Sequence, residues 1–203
     1  MPQLRTPRPH LIRRVLLWLA LALLLAVGGA KYYHIHYQYR LGTVTQGQVY
    51  QSGAMPPARM AAEAQRLGLR TVIDLRTFQP GQDSTNTTPL QDINAEGRAL
   101  AGVGVRHIHL PTPQVPTPQT VAAFLAVIRD PSNRTTLIHC YHGIGRTELF
   151  VALYRMEFEG WSNQRARSAA RFFLPYSSFS DSSEKGRFLI NYQPHPAENI
   201  LVR

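Results

Sequence analysis

The sequence predicts an α/β fold, with a central, mainly parallel sheet flanked by helices. Three observations carry this. Short β-branched runs, at Thr71-Val-Ile-Asp-Leu-Arg76, Gly104-Val-Arg-His-Ile-His-Leu110 and Thr135–His139, alternate with stretches of helical spacing. Such alternation belongs to parallel sheets whose helices cross over their faces. The apolar run from Leu137 passes through a turn with two glycines into helix-compatible Glu148–Arg155, the strand–loop–helix unit of such folds. The 203 residues, less an N-terminal leader, suit one domain with a full core.

Residues 1–10 are rich in Pro and Arg and are expected to be disordered. Residues 11–30 form an apolar segment with an uncharged core from Val15 to Ala30. That core is roughly 24 Å long as a helix, against about 30 Å of hydrocarbon. Leu11 and Ile12 lengthen it if Arg13 and Arg14 snorkel to the headgroups. It reads as a single-pass transmembrane anchor. A cleaved signal peptide is the competing reading, with small residues at Ala26/Gly28 or Gly28/Ala30 for the cut. Arg5, Arg8, Arg13 and Arg14 precede the uncharged core, which keeps the start of the segment in the cytoplasm and exports the rest. A weak twin-arginine reading of Arg13-Arg14 gives the same direction. The expected location is therefore the membrane with an extracytoplasmic domain, or the periplasm if the leader is removed. Residues 31–40, with four tyrosines, read as a juxtamembrane linker, and His34 and His36 as part of it rather than as metal ligands.

The main domain is expected over 41–203. Gln48–Ser52 reads as a short strand. Pro56–Leu67 reads as a helix, with prolines at its start and Gly68 as its stop. After the strand at 71–76, 79–88 is a polar loop, and Pro89–Ala101 is helical despite Gly97. The strand at 104–110 leads into Pro111–Pro118, whose four prolines require a loop. Thr117 is placed to cap a helix from Pro118 to about Arg129. After the strand ending at His139, helices are expected over Arg146–Glu159, Ser162–Phe173 and Asp181–Asn191.

A net charge of +10 raises the question of nucleic acid. The cations are spread along the chain, with no basic stripe interleaved with aromatics, so nucleic-acid binding is not expected. The single cysteine excludes an intramolecular disulfide and leaves a free thiol or an intermolecular bridge.

That cysteine, Cys140, opens the glycine turn, and Arg146 closes it. The layout aims backbone N–H groups and a helix N-terminus at one spot, which suits a phosphate dianion. A thiol there is acidified by amides, helix dipole and guanidinium, because each favours thiolate. Arg146 can grip two phosphate oxygens, and Thr147 places a hydroxyl beside the sulfur. A rhodanese-like sulfur carrier also uses a cysteine loop but does not call for Arg146-Thr147.

The pattern His139-Cys140, five residues, Arg146-Thr147 resembles the signature of cysteine-dependent protein tyrosine phosphatases. The succession V-Y-Q-S-G, helix, T-V-I-D-L-R and the later run L-Y-R-M-E-F-E-G-W resemble bacterial dual-specificity members, particularly exported ones. The resemblance implies a dual-specificity phosphatase-like fold and a phosphocysteine intermediate. It implies Cys140 as nucleophile, with His139 orienting the loop. Tyr141, His142, Gly143, Ile144, Gly145 and Arg146 would bind phosphate, Arg146 would stabilise the transition state, and Thr147 would help the sulfur leave. No cofactor and no metal are implied. The expected partner is a phosphorylated protein, chiefly phosphotyrosine, or alternatively a membrane-associated phosphate ester. A weakly active phosphate-binding module is a further alternative. Loop residues Tyr141 and Ile144 are not basic, which argues against highly phosphorylated inositides.

The family also uses an aspartate as general acid, on the loop after the preceding strand. Here that loop is Pro111–Pro118, and no Asp or Glu lies between Glu96 and Asp130. Asp83, Asp92, Asp181, Asp74 and Glu148 are the substitutes to be placed, with Asp74 more readily a structural partner of nearby backbone. Glu148 at a helix start has the bland alternative of complementing the dipole.

Overall fold

The structure, a computed structural model, describes residues 9–78, 88–170 and 178–195. The chain divides into two compact units, Met1–Gln38 and Tyr39–Arg203.

Among the described residues, the first unit contains one helix, α1 (Pro9–His36). Its stretch Ile12–His36 is long and apolar enough to cross a membrane, with a mean hydropathy of 2.0 over its most apolar 18 residues; a signal sequence can share that length and composition. The helix runs on through Lys31–His36, most of the stretch expected to be a linker. Gly28 and Gly29 each cost about 1 kcal/mol of helix propensity without ending it. Ring contacts one turn apart, Tyr32 on His36 at 4.4 Å and Tyr33 on Tyr37 at 5.4 Å, support the last turns.

The second unit runs β1 (Gly42–Thr45), β2 (Val49–Gly53), α2 (Pro57–Leu67), β3 (Thr71–Asp74), α3 (Leu90–Ala101), β4 (Arg106–His109) and α4 (Pro118–Arg129). A 3-10 turn at Pro131–Asn133 leads to β5 (Thr136–Cys140), followed by α5 (Arg146–Phe158), α6 (Asn163–Ala170) and α7 (Glu184–Asn191). The sheet order is β1-β2-β5-β3-β4, parallel except for the antiparallel edge strand β1. The predicted α/β architecture is the observed one. The edge strand β1 has no counterpart among the predicted strands.

Local chemistry explains the ends of several elements. Pro57 starts α2, and Gly68, at φ 64°, stops it by donating its N–H to Ala64 and Gln65 carbonyls. Thr117 Oγ1 accepts from the Thr120 amide at 3.2 Å and caps α4 as expected. The last helix starts at Glu184 rather than Asp181, because Ser183 takes the cap position and accepts from the Gly186 amide at 3.0 Å. The helix expected over Ser162–Phe173 is seen as Asn163–Ala170, and its final residues lie outside those described.

Strand alternation divides the core into two layers. Ile73, Ile138 and Cys140 face one side, packed with Phe124, Phe150, Leu153 and Leu189 of the C-terminal half. Val72 and Leu137 face the other, with Met60 and Ala64 of α2 and Leu100 of α3. Phe124 and Phe150 meet edge to face at 4.9 Å, and neither is exposed. Phe150→Ala is expected to cost about 3–5 kcal/mol, the range for a buried aromatic cut to alanine, read as a lowered urea midpoint at unchanged slope.

Candidate active site

β5 is paired on both edges. Its last residue, Cys140, lies opposite Gly53 of β2, and His139 lies between Ser52 of β2 and Asp74 of β3. The loop 141–145 then turns over the sheet end into α5. Gly143 has φ 72°, and a Cβ there would stand 2.6 Å from the Gly53 amide nitrogen. A Cβ on Gly53 would in turn lie 3.2 Å from the His142 carbonyl. Two glycines thus let two backbones touch. The Ala54 amide donates to the Tyr141 carbonyl at 3.0 Å, and Arg40 Nη1 donates to the His142 carbonyl at 2.8 Å.

The loop curls around the thiol. Cys140 is 3% exposed, and the Gly143 amide points at its Sγ from 3.3 Å. Burial opposes ionisation, but the Thr147 hydroxyl and amide, Arg146 and the Gly143 amide outweigh it and lower the Cys140 pKa. The cap position of α5 is Gly145, which offers no side chain, so the first N–H groups of the helix remain for an anion. Arg146 is buried. Its Nη1 donates to the Leu75 and Thr112 carbonyls at 2.9 and 3.1 Å, which ties the guanidinium to the end of β3 and to the 111–117 loop.

A cavity of about 220 Å³ opens above the sulfur. The loop 140–146 forms its base, and Gln114, Ser178 and Lys185 complete its wall. A Cβ on Gly145 would stand 3.0 Å from Lys185 Nζ and 3.7 Å from Gln114 Oε1, so both side chains reach the rim. Lys185 is carried there by α7, whose Gly186 abuts the Ser180 carbonyl so closely that any Cβ would collide, at 1.8 Å. Tyr141 and Ile144, about half exposed, form an apolar part of the rim.

Beneath the loop lies a buried ionic cluster. Arg76 Nε and Nη2 donate to Asp74 at 2.9 and 2.7 Å, and Nη2 also donates to Glu96 Oε2 at 2.9 Å. His139 Nε2 is 2.9 Å from Glu96 Oε1, and His107 Nε2 is 3.4 Å from Asp74 Oδ2. Burial alone would neutralise these groups. The histidines and Arg76 nevertheless hold Asp74 well below the usual carboxylate range and Glu96 at about 2. The two carboxylates likewise outweigh burial to raise His107 to about 9, and they raise His139 as well.

Comparison with known proteins places this geometry. The family described as "DSP-PTPase phosphatase fused to NAD+ Kinase" matches residues 48–184. The chain belongs to this family. Dual specificity protein phosphatase TpbA of Pseudomonas aeruginosa (strain UCBPP-PA14) is 31% identical over 116 residues, 56% of this chain and 45% of that protein. The match thus spans about half the length of the curated relative. The core catalytic domain of the PP-IP phosphatase SIW14 from S. cerevisiae, in complex with citrate, superposes with a TM-score of 0.57 at 18% identity, covering 79% of this chain and 89% of that one. A cysteine-to-serine form of P. aeruginosa TpbA in complex with pTyr gives 0.56 at 22% identity, covering 80% and 88%. At these identities the two structures establish the fold alone.

Of the site residues expected from the sequence, Cys140, Tyr141, His142, Ile144, Gly145 and Arg146 line one cavity, Gly143 and Thr147 lie against the sulfur, and His139 lies beneath in the ionic cluster, while the five carboxylates expected as substitutes are scattered. Asp74 is fully buried in the cluster, bonded through both oxygens to Arg76, and is a floor residue rather than a donor at the mouth. Glu148 accepts from Gln51 Nε2 at 2.8 Å, and although burial raises its pKa, it does not line the cavity. Asp181 pairs with Arg167, its side chain 74% exposed. Asp92 is exposed in the first turn of α3, and Asp83 lies outside the described residues. Among the described residues, no carboxylate lines the cavity. Gln114 occupies the loop where the family carries its acid, and as an uncharged amide it has no signal in a pattern of carboxylates. Lys185 is far from the signature in sequence and had no local signal.

Alkylation of Cys140 by iodoacetamide is expected to stay fast below about pH 7 and to be slowed by phosphate or vanadate. A titration near ~8.5 without protection would contradict the acidified thiol.

Proposed function

We propose that this chain hydrolyses phosphomonoesters through a phosphocysteine intermediate, acting on phosphotyrosine in proteins. The observation that carries this is the enclosure of the Cys140 sulfur by the Gly143 amide, the α5 N-terminus and buried Arg146 at the base of one cavity. The Cys140 thiolate attacks phosphorus, forming the S–P bond as the ester P–O bond breaks. The loop amides of 141–146 and Arg146 hold the equatorial oxygens, whose charge grows in the transition state. Water then cleaves the S–P bond, and the Thr147 hydroxyl stabilises the departing thiolate. His139 acts as a positioning residue that sets the strand end. The apolar rim at Tyr141 and Ile144 suits an aryl ring, and the TpbA relative holds pTyr.

Gln114 can hydrogen-bond a leaving oxygen but cannot protonate it at neutral pH. An ester of a low-pKa phenol leaves without that proton; a serine alkoxide does not. Activated aryl phosphates are therefore expected to turn over well, phosphotyrosine modestly and phosphoserine barely, and Cys140→Ser should abolish all three. A general acid contributes about 10²–10⁴-fold. None of Asp83→Asn, Asp92→Asn, Asp181→Asn or Glu148→Gln is expected to lose that much on phosphotyrosine while sparing the activated ester. A variant that does so identifies the acid and overturns the reading that the site works without one.

The same reading places the enzyme at a membrane, anchored by α1 and facing outward. The arginines before the apolar run support that orientation. A second substrate class, a membrane-associated phosphate ester, is favoured only by this anchor. Alkaline phosphatase fused after Arg203 is expected to be active, and a reporter that matures only in the cytoplasm to be silent. The reverse pattern places the domain inside.

A further inference from the structure

We propose that Asp74, Glu96, His107 and His139 form a zinc site beneath the active loop, one that the sequence did not suggest. The four residues come from β3, α3, β4 and β5, and each offers one ligand atom such that all four atoms lie within 4.8 Å of one another. Zn–N and Zn–O bonds of about 2.0–2.1 Å place neighbouring ligand atoms about 3.3 Å apart. Glu96 Oε1 brackets that spacing, at 2.9 Å from His139 Nε2 and 3.5 Å from His107 Nε2. Asp74 Oδ2 is 3.4 Å from His107 Nε2, and Asp74 Oδ1 is 3.8 Å from His139 Nε2.

The second observation concerns hydrogen bonding. Three of the facing atoms, Glu96 Oε1 and the Nε2 atoms of His107 and His139, are buried and make no hydrogen bond, although they stand this close. Buried polar atoms are almost always paired, so three orphans converging on one point indicate a missing common partner. Two imidazoles and two carboxylates favour zinc over magnesium or calcium, which take oxygen.

Arg76 does not exclude the ion. It takes Glu96 Oε2 and leaves Oε1 facing inward. Asp74 accepts the Arg76 amide and Nε at Oδ1 and Nε and Nη2 at Oδ2; the Nε hydrogen is shared, so three hydrogens occupy a carboxylate that can accept about four, and one position remains for the ion. Arg76 thereby acts as the outer partner that orients metal-binding carboxylates. His107, the least buried of the four, is the side from which an ion enters. A bound ion would pin three adjacent strands and α3 and would hold His139, next to Cys140.

The test uses the full chain in detergent as Cys140→Ser, so that the thiolate cannot bind metal, after removal of bound metal with EDTA. Titration with zinc sulfate is expected to give one ion per chain retained on gel filtration, with a raised Tm. Cobalt(II) should show the intense visible absorption of tetrahedral coordination. His107→Ala and Glu96→Gln should each weaken binding at least about tenfold, and a His34→Ala/His36→Ala double variant should not. Absence of stoichiometric zinc overturns the site, as does zinc retained unchanged in both cluster variants or an octahedral cobalt spectrum. If a cluster variant fails to fold, the stoichiometry and the cobalt spectrum of the parent decide alone. Neither readout depends on phosphatase activity.

Discussion

Parallel pairing along both edges of β5 is the constraint on which the site depends. With β2 on one side and β3 on the other, the strand end has no freedom to move, and its last two residues are sent to opposite faces. Cys140 goes to the layer with Phe124 and Phe150, beneath the start of α5, while His139 goes to the layer under α3, where Glu96 waits. A slip by one residue would exchange these faces and bury the sulfur away from the loop. The register that completes the sheet therefore also assigns the chemistry.

Charge is layered around this strand end. Above it, amides, the α5 N-terminus, Arg146 and Lys185 prepare a place for an anion. Below it, two carboxylates and Arg76 interlock with two imidazoles. An isolated ion in such a place would lose several kcal/mol of hydration, which only close pairing offsets. Asp74 shows how context decides role. A carboxylate at a strand end near the site looks available in one dimension, yet Arg76, two residues on, holds both its oxygens.

What was legible in the sequence was local. The cysteine loop lies within one short run, and the Thr117 cap and the Gly68 stop depend on a few neighbouring residues. Their physics is complete within a turn of chain, so spacing alone reveals it. What was missed requires the third dimension. Lys185 reaches the rim because α7 packs through Gly186 onto the Ser180 carbonyl. Glu96 and His107 join His139 only through the order and register of the strands and the seating of α3. The edge strand β1, four residues long and interrupted by a register shift between Thr43 and Thr45, is too short to announce itself by alternation. The continuation of α1 past the apolar run was hidden because polar and aromatic residues can prolong a helix already begun.

The first residues of the second unit bear on a loop far from them in sequence. Tyr39 accepts a hydrogen bond from the Gly53 amide at 2.7 Å, and Arg40 Nη1 donates to the His142 carbonyl at 2.8 Å. Gly53 is also the residue whose amide a Cβ on Gly143 would strike. Two neighbouring residues therefore brace both backbones that meet beneath the sulfur's cradle, one from each side. A shortened form of this unit that begins at Leu41 loses both braces while keeping every strand and helix, so the place to cut the chain is set by the loop and not by the sheet.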